Sequence, residues 1–363
     1  MKKILQLTVV VLLFASCKEN STKKETVTVA IKDSTAQMII PVASFEGQQV
    51  TGVTVTDAGR IFANFPKWRK GIKSAVVEIT AVKESKSYPD AQWNSWEIGD
   101  ALAPNKFVGV QSVVAFENKL YVLDTRSVLF QPVLDAPRIF VFDLKTNQLV
   151  NTYVLTKNSY HPDSYINDLR VDKKNQKIYF TDSGHGGLVV LDIKSGQFKR
   201  ILDNHKSTSA ELSGLSFNGK EWKNKINSDG IALDTVNNRL YYHALTGYSL
   251  YSIPTAAFDL TDEKEIEKEV KYEGKTAAPD GMIFDQGGNL YYADLENNKI
   301  QYRKLDGSIH TLVEGDEIKW ADTFSIYKGY LYFTNSRINE VCSPDISKMS
   351  FTVNKIKLPQ TDK

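Results

Sequence analysis

Two stretches of the chain are near copies: "SDGIALDTVNNRLYYHAL" at 228–245 and "PDGMIFDQGGNLYYADL" at 279–295. Each opens on an aspartate followed by glycine, Asp229 and Asp280, and a third aspartate, Asp322, opens the related "DTFSIY". A single Asp-Gly pair is what a tight turn requires for backbone reasons alone. Three carboxylates drawn to one place are different, because each raises the pKa of the others unless a cation lies among them. Such a group calls for a hard metal ion, an ammonium on a ligand, or a basic side chain. Aspartate and asparagine oxygens suit Ca²⁺ best among the common metals.

The elements that would bring them together are visible as a repeat. An apolar-aromatic phrase following a turn recurs as "GRIFANF" at 59–65, "NKLYVLD" at 118–124, "QKIYFTD" at 176–182, "NRLYYHA" at 238–244, "GNLYYAD" at 288–294 and "GYLYFTN" at 329–335. Before each lies a shorter alternating run: "TGVTVT", "QSVVAF", "NDLRVD", "DGIALD", "DGMIFD" and "DTFSIY". Several are followed by a third, such as "RIFVFDL" and "GLVVLDI". β-Branched and aromatic residues leaving Gly- or Asn-containing turns mark strands. Units of about 40 to 60 residues made of short strands mark a β-propeller of four-stranded blades. Six copies predict an all-β, six-bladed β-propeller. Only "LTDEKEIEKEVKY" around Glu265 has the look of a helix, and it falls in a connection.

In a blade the first strand lines the central channel. Its start shares a face with the loop joining the second strand to the third. Aligned on their alternating apolar positions, the first strands begin at Thr51, Gln111, Asn167, Asp229, Asp280 and Asp322, all polar. The loops would bring Trp68, Arg126, His185, Thr246, Asn297 and Asn335 to the same mouth. The expected ligand-binding set is therefore Thr51, Gln111, Asn167, Asp229, Asp280, Asp322, Asn335 and Arg126, with Arg126 a possible internal counter-ion. His185, in "SGHGG", is the mouth-facing candidate for proton transfer, although its glycines and histidine equally suit a plain loop.

The N-terminus reads as an export signal. Two lysines precede an apolar run from Ile4 to Phe14, too short for a permanent span. "LFASC" resembles a bacterial lipobox, which makes Cys17 the expected site of lipidation. Residues 1–17 are then signal, 18–38 a polar tether and 39–363 a single propeller domain. The expected location is the periplasmic or cell-surface side of a membrane, or outside the cell without the lipid. With Cys17 lipidated, Cys342 is the one remaining cysteine, so no internal disulfide is expected. The balance of 45 basic against 43 acidic side chains gives no electrostatic case for nucleic acid. The expected partners are a small molecule and, through the lipid alone, a membrane; the chain is expected to be a monomer.

"TGVTVTDAGRIFANFPKW", "YPDAQWNSW", "YINDLRVD", "WADTFSI" and "YFTNSR" resemble the Yellow and major royal jelly protein family, in their order and over about residues 50–339. That resemblance implies an exported six-bladed propeller. It also implies diverse roles, among them biogenic-amine binding and tautomerase-like activity on pigment precursors. The blade arrangement is similar, more distantly, to the gluconolactonase and regucalcin propellers, whose members bind a divalent cation at the mouth. By that resemblance Asn167, Asp229 and Asp280 are the metal ligands, with Ca²⁺ or another divalent cation as cofactor. Thr51 stands where those propellers carry a glutamate, and Asp168 matches a substrate-contacting position.

The chain has no G-x-S-x-G elbow, no H-E-x-x-H pair and no phosphate-cradling glycine loop. The expected function is binding of a small cationic or aromatic ligand at the mouth. The alternative is a metal-assisted lactonase, hydrolase or isomerase, with His185 or Asp168 moving the proton. A protein-interaction scaffold is a third.

Overall fold

The computed structural model describes residues 31–32, 38–341 and 345–359. The signal, Cys17 and Cys342 lie outside the described residues.

Six four-stranded antiparallel blades follow one another along the chain. Their inner strands are Gly52–Val55, Val110–Phe116, Ile166–Asp172, Ser228–Asp234, Met282–Phe284 and Ala321–Tyr327. Their second strands are Ile61–Asn64, Lys119–Asp124, Lys177–Asp182, Arg239–Ala244, Leu290–Asp294 and Tyr330–Asn335. These are the six repeated phrases, and the predicted six-bladed propeller is the observed fold. The helix expected near Glu265 is Glu263–Lys268, capped by the Asp262 carboxylate accepting from Lys264 N, and it lies within blade four between the third and outermost strands.

The double aromatic of each second strand follows from packing on both faces. Successive side chains of a strand point to opposite faces, and each blade is sandwiched between two others. In blade four, Leu240 and Tyr242 pack towards blade three, among Tyr179, Leu188 and Val190. Tyr241, between them, packs towards blade five, its ring 5.0 Å from that of Phe284. Blade five repeats the pattern, with Leu290 and Tyr292 facing back and Tyr291 facing forward. "LYY" is thus one wide side chain for each neighbour.

The ring closes non-sequentially. The outermost strand of blade six is Ile40–Glu46, from the start of the domain, paired antiparallel with Ser350–Lys357, with Phe45 opposite Phe351. Within the stretch read as tether, Ile31–Lys32 pairs in parallel with Ile309–Glu314, the outer strand of blade five.

An unexpected element is a hairpin, Leu215–Phe217 and Lys220–Trp222, inserted between blades three and four. Phe217 stacks on Trp320 at 5.5 Å and Trp222 meets the same indole edge-on at 5.0 Å.

Closure by one N-terminal strand makes a sharp stability prediction. A chain beginning at residue 38 should melt within a few degrees of the full domain. One beginning at residue 47 leaves the Ser350–Lys357 edge unpaired and should melt at least about 10 °C lower or aggregate. Differential scanning calorimetry of the two truncations checks it.

Candidate functional site

Four inner strands carry a register shift at their starts: between Val110 and Ser112, Ile166 and Leu169, Ser228 and Gly230, and Ala321 and Phe324. A bulge of this kind re-aims the side chain at the extra position. The residues so placed are Gln111, Asn167 with Asp168, Asp229, and Asp322 with Thr323.

The glycines of the two Asp-Gly pairs are not turn residues. A Cβ on Gly230 would lie 2.5 Å from the Asp280 carbonyl oxygen, and one on Gly281 2.3 Å from that of Asp322. The Gly281 amide donates to the Asp322 carbonyl at 2.7 Å. Neighbouring inner strands touch backbone to backbone here, an approach only glycine permits. That same approach crowds the aspartates that precede the glycines.

Gln111, Asn167, Asp229, Asp280 and Asp322 line one cavity of about 570 Å³ at the channel mouth. Two aromatic groups share its wall. Trp68 stacks on Phe130 at 5.3 Å, and Trp222 and Trp320 form the pair described above. Arg69 and Lys225 also line it. Hydrogen bonds run from wall to base: Trp68 Nε1 donates to Tyr165 Oη (2.6 Å), Tyr165 Oη to Gln111 Oε1 (2.6 Å), and Gln111 Nε2 to Asn167 Oδ1 (2.7 Å). Trp320 Nε1 donates to Asp280 Oδ2 at 2.7 Å, so the inserted hairpin braces the indole that fixes a carboxylate.

The three aspartates are almost fully buried, and among the described residues none of them forms an ion pair. Burial pushes the Asp229 carboxyl well above its ordinary range, and the charges of Asp280 and Asp322 push it further. Burial does the same to Asp322, reinforced by Asp280. Asp280 is raised by burial to about 6, held down by its hydrogen bonds to Trp320 and Asp229. Two ionised carboxylates about 4 Å apart repel by roughly 4 kcal/mol even at an effective dielectric of about 20. One hydrogen bond returns about 1 kcal/mol. The ligand-free base therefore keeps protons that exposed aspartates would have lost.

Other expected site residues are placed elsewhere. The Arg126 side chain is fully buried and turned away, its Nε on Asp135 Oδ1 (2.5 Å) and its Nη1 on Asp124 Oδ2 (3.4 Å). It does not line the cavity and cannot serve as the base's counter-ion. Asn335 is spent on the connection leading into the inner strand of blade six, accepting from Lys319 N (2.9 Å) and donating to Glu317 O (2.8 Å). Thr51 accepts from Asn64 Nδ2 (3.1 Å) inside the blade. Asp168 lies behind the cavity lining, held by Ser112 Oγ (2.7 Å) and Arg170 Nη1 (2.7 Å). His185 is half-buried outside the cavity lining, with Nδ1 2.9 Å from Asp163 Oδ1.

The aspartates ending several second strands play the structural part that a turn reading would give them. Asp124 accepts from the amides of Val108 (2.7 Å) and Gly109 (2.8 Å), and Asp182 from those of Tyr165 (2.9 Å), Gly184 (3.1 Å) and His185 (3.1 Å). The residues that sequence reasoning missed are Arg69, Tyr165, Trp222 and Trp320. Two of them stood in phrases already quoted, Tyr165 opening "YINDLRVD" and Trp320 opening "WADTFSI", without being singled out.

A sequence profile described as Major royal jelly protein matches residues 110–363. "Major royal jelly protein 3" of Apis mellifera is 25% identical over 246 residues, covering 63% of this chain and 44% of that protein. "Protein yellow" of Drosophila pseudoobscura pseudoobscura is 30% identical over 237 residues, 57% of this chain and 40% of that protein. The chain thus spans about half or less of the length of these relatives. Among solved structures, a luciferin-regenerating enzyme superposes with a TM-score of 0.56 at 12% identity, covering 89% of this chain and 95% of that one. A gluconolactonase of Xanthomonas campestris does so at 0.52 and 13%, covering 90% and 98%. Those two likenesses concern the fold.

The raised carboxyl pKa values fix the sign of a pH effect. From about pH 4 upward the folded state holds protons the unfolded chain has released, through about 6 for Asp280, with Asp229 and Asp322 likewise raised well above the ordinary aspartate range. Stability from these groups is therefore lost as pH rises. His243, buried and lowered to about 4, acts in the opposite sense up to its ordinary value near 6.5. The difference between variant and wild type separates the two. Asp229→Asn should melt several degrees above wild type at pH 8 and close to it at pH 5. An equal shift at both pH values would contradict the assignment.

Proposed function

Because the chain belongs to the major royal jelly protein family, we propose that its channel mouth binds a small organic cation bearing an aromatic ring. The observation that carries this reading is the base of three buried carboxylates without a basic side chain among them, facing a cavity with indole and phenol walls. A primary ammonium supplies the missing positive charge and up to three donors. The indoles of Trp68, Trp222 and Trp320 supply stacking area and cation–π attraction, worth about 0.5–2 kcal/mol. A volume of about 570 Å³ suits a one- or two-ring ligand.

A second reading uses Asn167, Asp229 and Asp280 as oxygen ligands of a hard divalent cation such as Ca²⁺. The donor chemistry fits, since all three line the cavity and the Asp229–Asp280 pair is short of positive charge. When bound, such an ion would polarise a lactone or quinone-like carbonyl. The protein's own residues serve that reading less well. Thr51 does not line the cavity, and Asp168 is held by Arg170 and Ser112. His185 lies outside the lining.

We also propose that the domain works outside the cytoplasm, anchored through a lipid on Cys17. The support is the signal-like N-terminus and "LFASC". Cys17→Ala should move the protein from the membrane fraction to the soluble one; unchanged retention on membranes would refute the anchor.

For the ligand, calorimetric titration with tyramine at pH 8 should show 1:1 binding. It should weaken about 10- to 100-fold in Asp280→Asn, the range for losing a charged hydrogen-bond partner, and several-fold in Trp222→Ala. Equal binding of 4-ethylphenol, which lacks the amine, would refute the carboxylate base as the recognition element. Ca²⁺ that binds stoichiometrically and excludes tyramine would favour the second reading.

A further inference from the structure

Beside the mouth, on the same end of blade three, three loops bring together side chains that the binding reading does not use. His161 precedes the inner strand, His185 lies between the second and third strands, and Asp203 follows the outer strand. Among the described residues, these form the one group of three or more His, Cys, Asp or Glu whose ligand atoms all lie within 4.8 Å of one another. We propose that His161, His185 and Asp203 form a binding site for a divalent transition-metal ion of the zinc type, separate from the carboxylate base of the cavity.

The donor spacing fits. Nitrogen and oxygen ligands at about 2.0–2.1 Å from a tetrahedral ion stand about 3.3 Å from one another. Here His161 Nε2 lies 3.0 Å from Asp203 Oδ2, and His185 Nε2 lies 4.0 Å from Asp203 Oδ1. Two imidazoles and one carboxylate favour Zn²⁺, Ni²⁺ or Co²⁺ over Ca²⁺ or Mg²⁺. Three protein ligands leave the fourth position for water or another molecule.

The surroundings are those of a supported site. Asp163 accepts from His185 Nδ1 at 2.9 and 3.1 Å through its two oxygens. That contact puts the proton on Nδ1 and leaves the Nε2 lone pair free for metal, the carboxylate–histidine arrangement that orients metal-bound imidazoles. Asn204 Nδ2, 2.8 Å from Nε2, donates to that lone pair. Arg200 Nε, at 2.5 Å, holds Asp203, and Arg200 is itself tied to buried Asp182 at 2.8 Å. Asn204 N also donates to Gly186 O at 3.0 Å, stitching the loops of Asp203 and His185 together.

In the ion-free arrangement the two rings are stacked, centroids 3.7 Å apart and planes 25° from parallel. Their in-plane lone pairs then run side by side. Binding requires the rings to shift out of the stack and His185 Nε2 to exchange the Asn204 contact for the ion. Asp163 also lines the cavity, so the ion would sit just behind its wall, not on its base.

The test is titration of the full chain, stripped with chelator, by Zn²⁺, and by Co²⁺ followed through its visible d–d absorption. One equivalent should bind with micromolar or tighter affinity in the presence of millimolar Ca²⁺. His161→Gln and Asp203→Asn should each weaken binding at least about tenfold and abolish the Co²⁺ bands. Asp163→Asn should weaken it about tenfold by freeing the His185 ring, and Asp229→Asn should leave it unchanged. Circular dichroism and the metal-free melting temperature, unchanged in the His161, Asp163 and Asp203 variants, would separate ligand loss from misfolding. Absence of binding in the wild type, displacement by Ca²⁺, or binding that survives both ligand variants would overturn the site.

Discussion

Six inner strands converge on one axis, and the side chains at their starts have little room except the channel. That constraint governs the rest of the mouth. Backbone contact between neighbouring inner strands requires Gly230 and Gly281, and the same contact presses Asp229, Asp280 and Asp322 together without a compensating base. Two basic groups nearby are committed elsewhere, Arg126 to Asp124 and Asp135 and Arg170 to Asp168 and a backbone carbonyl, while Arg69 and Lys225 line the cavity wall. The fold thus builds a buried carboxylate base whose repulsion a proton or a visiting cation relieves.

The inserted hairpin makes that pocket a shaped one. Phe217 and Trp222 clamp Trp320, whose indole N–H fixes Asp280. An ordinary surface hairpin is thereby linked to the geometry of the base. Trp68, Tyr165 and Gln111 do the same for Asn167 through their hydrogen-bonded chain. The aromatic walls and the charged base are therefore one network, and a ligand that engages both gains from its preorganisation.

The architecture was legible because it repeats. Six apolar-aromatic phrases give six second strands, and the Tyr-Tyr pair records a strand buried on both faces. The strand starts were legible for the same reason, so Gln111, Asn167, Asp229, Asp280 and Asp322 do line one cavity. Loops were not, because spacing assigns a residue to a loop without giving the direction of its side chain. Arg126 occupies the expected loop, but its backbone takes φ of 62° and its guanidinium finds two aspartates in the interior. Asn335 serves the backbone of the connection before the inner strand of blade six. His185 turns outward to Asp163 and His161, partners far enough apart in sequence that no local pattern joins them. The hairpin at 215–222 falls outside the repeat, which hid the residues that brace the site.

The central claim is that the base holds protons until a cation replaces them. Carbon-13 NMR of aspartate-labelled protein, with Asp229, Asp280 and Asp322 assigned by single Asn variants, measures this directly. The account predicts that all three carboxyls titrate well above the ordinary aspartate range in the free protein, Asp280 near 6, and that saturating tyramine shifts them downward. Titration of all three near 4 in the free protein, unmoved by the amine, would contradict it.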